Sequence, residues 1–136
     1  MDWKLEVVVV PVSDVDRAKE FYEKQVGFHV DVDNQPNESF RNVQLTPPGS
    51  GCSIVIGKGL AESAPGSLKG LQLTVTDLET ARKELVERGV DVSEIKHVDL
   101  DSGAWVEGAA GDWNSFIFFD DPDGNAWAVQ QVPANR

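Results

Sequence analysis

The chain of 136 residues has one cysteine, Cys52, and two histidines, His29 and His97, and each scarcity closes a route. A single cysteine excludes an intramolecular disulfide and any zinc site built from several thiolates. The lone thiol is expected to pack as a small buried hydrophobe. His29 follows Gly27-Phe28, and His97 sits between Lys96 and Val98, so both are expected at the surface. Neither forms a recognisable Ser-His-Asp or Cys-His arrangement. No apolar run approaches the length that crosses a bilayer. The start, Met1-Asp2-Trp3-Lys4, lacks the basic-then-apolar order of a leader, which predicts a cytoplasmic chain with no membrane partner. Basic residues are few, 12 against 23 acidic ones, for a net charge of −11. Without a basic stripe to follow phosphates, nucleic acid is not an expected partner, and the acidic surface favours a cationic ligand over an anionic one.

What the sequence does have is a 40% hydrophobic content, enough for one compact domain, and an internal repeat. Val12-Ser13-Asp14-Val15-Asp16 returns as Val75-Thr76-Asp77-Leu78-Glu79, each after an apolar stretch and before a helix-like run ending near Gly27 or Gly89. Ser13 with Asp16 and Thr76 with Glu79 have capping-box spacing. Val15, Ala18, Phe21, Tyr22 and Val26 recur at three-to-four spacing in the first helix, as do Leu78, Ala81, Leu85 and Val86 in the second. Three strands are expected after each helix, at 28–33, 40–46 and 52–56, then at 90–98, 115–119 and 126–132. Turns rich in Pro, Gly and Asp at 47–51 and 121–125 precede the last strand of each set. The order is βαβββ twice, with module one at about 3–57, a linker at about 58–67 and module two at about 68–133 of a single domain.

This duplicated plan, with V-[ST]-D-[VL]-[DE] opening each helix, Phe21-Tyr22 inside the first and Phe119-Asp120-Asp121-Pro122-Asp123-Gly124-Asn125 before the final strand, resembles the vicinal oxygen chelate superfamily of glyoxalases, bleomycin resistance proteins and extradiol dioxygenases. The resemblance implies an α+β fold, two tandem βαβββ modules forming curled mixed sheets around a ligand cavity, and commonly a homodimer. It leaves function open, because the superfamily includes metal-dependent enzymes and non-catalytic drug binders. In its metal-dependent members His, Glu or Gln stand early in the first strand and within the last strand of each module. The matching positions here are Val7, Gly70, Ala128 and a residue near Ile54 in the strand Ser53-Ile54-Val55-Ile56, so neither metal nor cofactor is expected. A one-residue slip would instead bring Glu6 to the first position. Alternation of Gly70, Gln72 and Thr74 with Leu71, Leu73 and Val75 favours the register without Glu6.

The same alternation sends Val7 and Val9, Gly70, Gln72 and Thr74, and Ala126, Ala128 and Gln130 toward a cavity, with Gln72 and Gln130 as orienting polar groups or as glutamines at a solvated strand end. Trp127 alternates away from Ala128 and is expected beneath a helix, and Trp3 is terminal. Trp105 and Trp113 flank a Gly/Ala-rich stretch that reads as a loop over the cavity mouth, with Phe116 and Phe118, or Ile117 and Phe119, beneath; Phe40 is a further candidate. Asp99, Asp101, Glu107 and Asp112 cluster in sequence around that loop, as a solvated edge or as a seat for a cation.

The resulting expectation is a metal-independent small-molecule binding protein for an aromatic or cationic compound such as an antibiotic, with no catalytic residues. Two alternatives stand beside it. One is an enzyme of the same fold, using displaced ligands such as Glu6 or metal-free chemistry at Gln72, an acid or Cys52; the other is a module binding a protein through a sheet edge.

Overall fold

A computed structural model describes residues 1–136. The chain packs as two units, Met1–Leu68 with Asp121–Asn125, and Lys69–Asp120 with Ala126–Arg136. No helix is long and apolar enough to cross a membrane.

Unit 1 carries β1 (Val7–Val9), α1 (Val15–Glu20) continued by a π-helical segment (Phe21–Val26), β2 (His29–Asn37), β3 (Phe40–Thr46) and β4 (Ser53–Lys58). Its sheet has the order β1-β4-β3-β2, with β1 parallel to β4 and the other pairs antiparallel. Alternation divides the sheet. Val10, Val43, Leu45, Ile54 and Ile56 are buried, together with Ala18, Phe21, Tyr22 and Val26 of the helical run, while Val7 and Val9 face outward. The cap lies one residue later than the spacing predicted: Asp14 is the N-cap and accepts from the Arg17 backbone N–H at 3.1 Å. Ser13 is thereby free to donate from Oγ to Asp123 Oδ1 at 2.5 Å. A carboxylate one residue from the helix outcompetes the hydroxyl before it as an acceptor for that N–H. The helix closes at Gly27, whose φ of 95° lets Gly27 and Phe28 return their N–H groups to the Tyr22 carbonyl.

The Asp121–Asn125 turn packs into unit 1 through buried polar chemistry. Asp121 accepts four hydrogen bonds, from Tyr22 Oη (2.8 Å), Asn125 Nδ2 (2.7 Å) and the backbone N–H groups of Asp123 and Asn125 (both 2.9 Å). Asn125, fully buried, also donates to the Pro11 carbonyl at 2.8 Å and accepts from the Leu68 N–H at 3.1 Å. On the helical side of the sheet Arg41 pairs with Asp16 at 2.7 Å and Asp33 at 2.9 Å, and Lys19 also reaches Asp33. Hydrogen bonds from Arg41 and then Lys19 hold the Asp33 carboxyl down at about 2.

Unit 2 carries β5 (Leu71–Val75), α2 (Leu78–Glu87), β6 (Lys96–Val98), β7 (Trp105–Glu107), β8 (Phe116–Asp120) and β9 (Ala126–Gln131). The sheet order is β5-β9-β8-β6-β7, again with the first strand parallel to the last. The two mixed sheets with one helical run each make the expected α+β fold. Asp77, not Thr76, caps α2; the Thr80 backbone N–H and then its hydroxyl hold the Asp77 carboxyl below its ordinary value. Leu78 and Leu85 are buried, as are Ile117, Phe119, Trp127 and Val129 of the sheet, with Phe119 stacked on Trp127 at 6.0 Å. Val86, expected on the buried face, is exposed.

Two strand expectations are corrected. The long strand at 90–98 shrinks to Lys96–Val98, because Val90 is taken by the helix end, donating to the Leu85 carbonyl, and Ser93 donates sideways to the Phe118 carbonyl. Trp105–Glu107, expected as a loop flank, is an edge strand paired with β6. A turn connects them: the Gly103 N–H returns to the Asp99 carbonyl, and its φ of 75° redirects the chain so that the Ala104 carbonyl accepts from the Asp99 N–H.

Candidate ligand-binding site

In unit 2 the residues that alternate away from the Trp127 and Val129 layer form one continuous face. Register places Gln72, Ala128 and Phe118 in one row across β5, β9 and β8, and Thr74, Gln130 and Phe116 in the next. Ile117 and Phe119, the other candidates, belong to the core layer. Trp105, projecting from β7, meets Phe116 and Phe118 edge-on, with ring centroids 5.3 and 5.2 Å apart and interplanar angles of 87° and 89°, while the two phenylalanines stack at 6.3 Å. Trp105 is still half exposed, so this aromatic corner has an accessible side. Ala128 supplies a small floor between Phe118 and Gln72.

A polar chain borders the corner. Gln72 Nε2 donates to Gln130 Oε1 at 2.7 Å, and Gln130 Nε2 donates to the Trp113 carbonyl at 2.8 Å. Trp113 has φ 68°, the left-handed region, and is fixed there by its N–H bond to the Gln131 carbonyl at 2.7 Å. Its ring lies under the Arg136 guanidinium carbon, 5.3 Å from the centroid. Trp113 thus enters the site through its backbone, whereas its sequence setting suggested a stacking ring.

The stretch between the two tryptophans is pinned by residues that the sequence reading passed over. Buried Ser115 accepts from the Ala110 N–H and donates to the Gly111 carbonyl at 2.7 Å, and Asn114 pairs with both backbone groups of Val98 at 2.9 Å. Their signal is local: small polar residues beside a Gly-rich stretch can substitute for missing strand partners. His97 Nδ1 bonds the Gly108 carbonyl at 2.8 Å, and His29 is exposed at the surface.

Unit 1 holds the remaining candidates. Val7 and Val9 are partly exposed on the side of β1 away from the core, and Phe40 opens β3 half-buried. The residue aligned with Val7 in β4 is Ser53; Ile54 points into the core, which corrects the fourth ligand position by one residue. Ser53 Oγ lies 2.6 Å from Thr46 Oγ1, which in turn donates to Asp31. Cys52 is half-buried, less enclosed than expected, because it sits just before the strand begins. Glu6 is exposed just ahead of β1, opposite in parity to Val7. A cleft of about 540 Å³ lies near Ser13, Asp16, Arg41 and Lys58, but the first three side chains are engaged with Asp123 and with one another.

A divalent ion needs several converging N, O or S donors. Val7, Gly70 and Ala128 offer none, Ser53 is a poor ligand, and no group of three His, Cys, Asp or Glu side chains is placed to hold a metal. The metal site of the superfamily's enzymes therefore does not fit these residues.

Comparison with solved structures places the fold beside proteins of two kinds of description. TnmS3, an antibiotic binding protein from Streptomyces sp. CB03234, is 33% identical over 96% of this chain and 97% of its own, with a TM-score of 0.75. A glyoxalase/bleomycin resistance protein from the same organism is 34% identical over 94% of this chain and all of its own, with a TM-score of 0.72. A superfamily member from Sphaerobacter thermophilus DSM 20745 is 28% identical over 96% and 98% of the two chains, with a TM-score of 0.74. No curated protein sequence matches. The model of the Glyoxalase/Bleomycin resistance protein/Dioxygenase superfamily matches residues 4–129, nearly the whole chain, and the chain belongs to that superfamily.

Proposed function

We propose that this protein binds a small aromatic compound, of the kind found among antibiotics, and does so without a metal. The observation that carries this reading is the Trp105, Phe116 and Phe118 corner on the open face of the second sheet, next to a small floor at Ala128 and a polar border at Gln72 and Gln130. Such a surface gives stacking area at low entropic loss and a few hydrogen bonds for orientation, the usual composition of a ligand site. The antibiotic-binding description of TnmS3 supports the class of ligand. The formal charge of −11 adds a preference for compounds that also carry a positive charge. A homodimer is part of the proposal, as the superfamily resemblance implies.

The test is a tryptophan-fluorescence titration with a panel of planar aromatic antibiotics, followed by recovery of the ligand and its mass. Binding with an unchanged ligand is expected, and Trp105→Ala should weaken it about tenfold, the loss of one stacking partner. Native mass spectrometry of the same sample gives subunit count and metal content. A ligand recovered chemically altered, or stoichiometric metal required for binding, would overturn the reading in favour of an enzyme.

A further inference from the structure

The glutamine pair next to the aromatic corner has a fixed direction. An amide side chain can ordinarily turn over and exchange its oxygen for its nitrogen, so an isolated Gln offers a ligand either a donor or an acceptor. Here the far end of the chain is a backbone carbonyl, that of Trp113, which can only accept. Gln130 must therefore turn Nε2 toward Trp113 and Oε1 toward Gln72, and Gln72 must answer with Nε2. The left-handed conformation of Trp113, with its N–H bound to the Gln131 carbonyl and its ring under Arg136, accompanies the carbonyl at the head of this relay.

We infer that the Trp113 carbonyl sets the polarity of the Gln130–Gln72 relay so that the face presents the Gln72 Oε1 as an acceptor, selecting aromatic ligands that carry a hydrogen-bond donor at that edge. The inference rests on the aromatic-binding reading above and adds a specificity determinant to it. Gln72 is exposed, and Oε1 has no partner in the protein. Gln72 shares its row with Ala128 and Phe118; at one strand spacing of about 4.8 Å per step, it stands about 10 Å from Phe118 across a floor without a bulky side chain. A fused aromatic ring laid over Ala128 against the corner thus brings a substituent to Gln72. A phenolic hydroxyl there donates to Oε1, whereas a methyl ether, which can only accept, meets another acceptor. Gln72 contacts the ligand; Gln130 acts through Gln72 and is a positioning residue.

The experiment compares 2-naphthol with 2-methoxynaphthalene by calorimetry on the intact protein and on two open-face variants, Gln72→Leu and Gln130→Leu, with circular dichroism melts to confirm folding. The readout is the ratio of the two affinities, which corrects for any general change in the site. The wild-type ratio should favour naphthol about fivefold more than in Gln72→Leu, the value of one neutral hydrogen bond at a partly exposed site. Gln130→Leu should lose most of that preference, because the Gln72 amide is then free to turn its Nε2 toward a methyl ether. A purely structural role for Gln130 would lower both affinities equally and leave the ratio at its wild-type value. Binding of both compounds with a ratio unchanged in Gln72→Leu overturns the relay and leaves the aromatic site standing. Binding of neither overturns the aromatic site and the relay together.

Discussion

Replacing Asn125 with alanine removes three side-chain hydrogen bonds from the buried turn of unit 1, and their separate environments set the expected loss. The bond to Asp121 Oδ2 at 2.7 Å goes to a carboxylate and is the strongest, about 1.5–2 kcal/mol. The Pro11 carbonyl keeps a second partner, the Gly66 N–H at 3.1 Å, so its loss costs about 0.5 kcal/mol. The Leu68 N–H is only partly buried and can be reached by water, which limits its share to about 1 kcal/mol. The expected total is about 3 kcal/mol, or a fall in Tm of about 10 °C for a chain of this size. Asn125→Asp separates hydrogen-bond geometry from charge. It is nearly isosteric, yet sets an oxygen where Nδ2 stood, facing the Pro11 carbonyl and the Asp121 carboxylate. At neutral pH it should destabilise more than alanine, because a buried carboxylate then faces a carbonyl and another carboxylate. Thermal melts of the three proteins at pH 7 make the measurement. A loss below about 1 kcal/mol for Asn125→Ala, or a less destabilising aspartate at pH 7, would refute the assignment of this network as the anchor of the turn.

Two further expectations concern unit 1. The Asp33 carboxyl, held at about 2 by Arg41 and Lys19, binds its proton later than in the unfolded chain, so its stabilisation is full above the unfolded value near 4 and is lost as pH falls toward 2. Arg41→Met should shrink that acid-limb loss by about 1 kcal/mol after allowance for screening at a partly exposed pair, read from urea midpoints between pH 4.5 and 2. Gly66 has φ 80°, and a Cβ there would overlap the Asp123 carbonyl oxygen, whereas Gly103, at φ 75°, has open space around it. Gly66→Ala should therefore destabilise by about 3 kcal/mol or more and Gly103→Ala by about 1 kcal/mol, compared in the same denaturant series; equal effects would show that backbone strain alone decides both.

The repeat made the fold legible because each copy carries its own start signal, and a period of two separates Leu71, Leu73 and Val75 from Gln72 and Thr74 without reference to anything distant. The exact cap was harder to read. Ser13 and Asp14 are adjacent acceptors; the carboxylate takes the N–H, and what the serine does instead depends on Asp123, more than a hundred residues away. The strand at Trp105, expected as a loop flank, is hidden for a similar reason: a three-residue element between Gly103 and Gly108 has no periodicity to show, and it exists only through pairing with Lys96–Val98. The polarity of the Gln72–Gln130 pair was out of reach, because it depends on the carbonyl of a residue at positive φ, and a tryptophan gives no sequence signal for that conformation.

The same plan, written twice, carries different chemistry on its two outward sheet faces. In unit 1 the row at Val7 continues through Ser53 to Thr46, whose hydroxyl is committed to Asp31, a residue freed by the register shift between Val30 and Val32. Those hydroxyls satisfy one another and leave little to offer a ligand. In unit 2 the corresponding first and last strands place Gln72 beside Ala128, and the next strand supplies Phe118. Gly70 and Ala128 carry no ligating side chain and leave this face open, since a His or Glu projecting from position 128 would fill the floor on which the proposed aromatic ligand rests. Ala128→Glu should accordingly weaken aromatic binding in the fluorescence titration without creating a metal centre, because the new carboxylate and Gln72 make only two side-chain donors and Phe118 adds none.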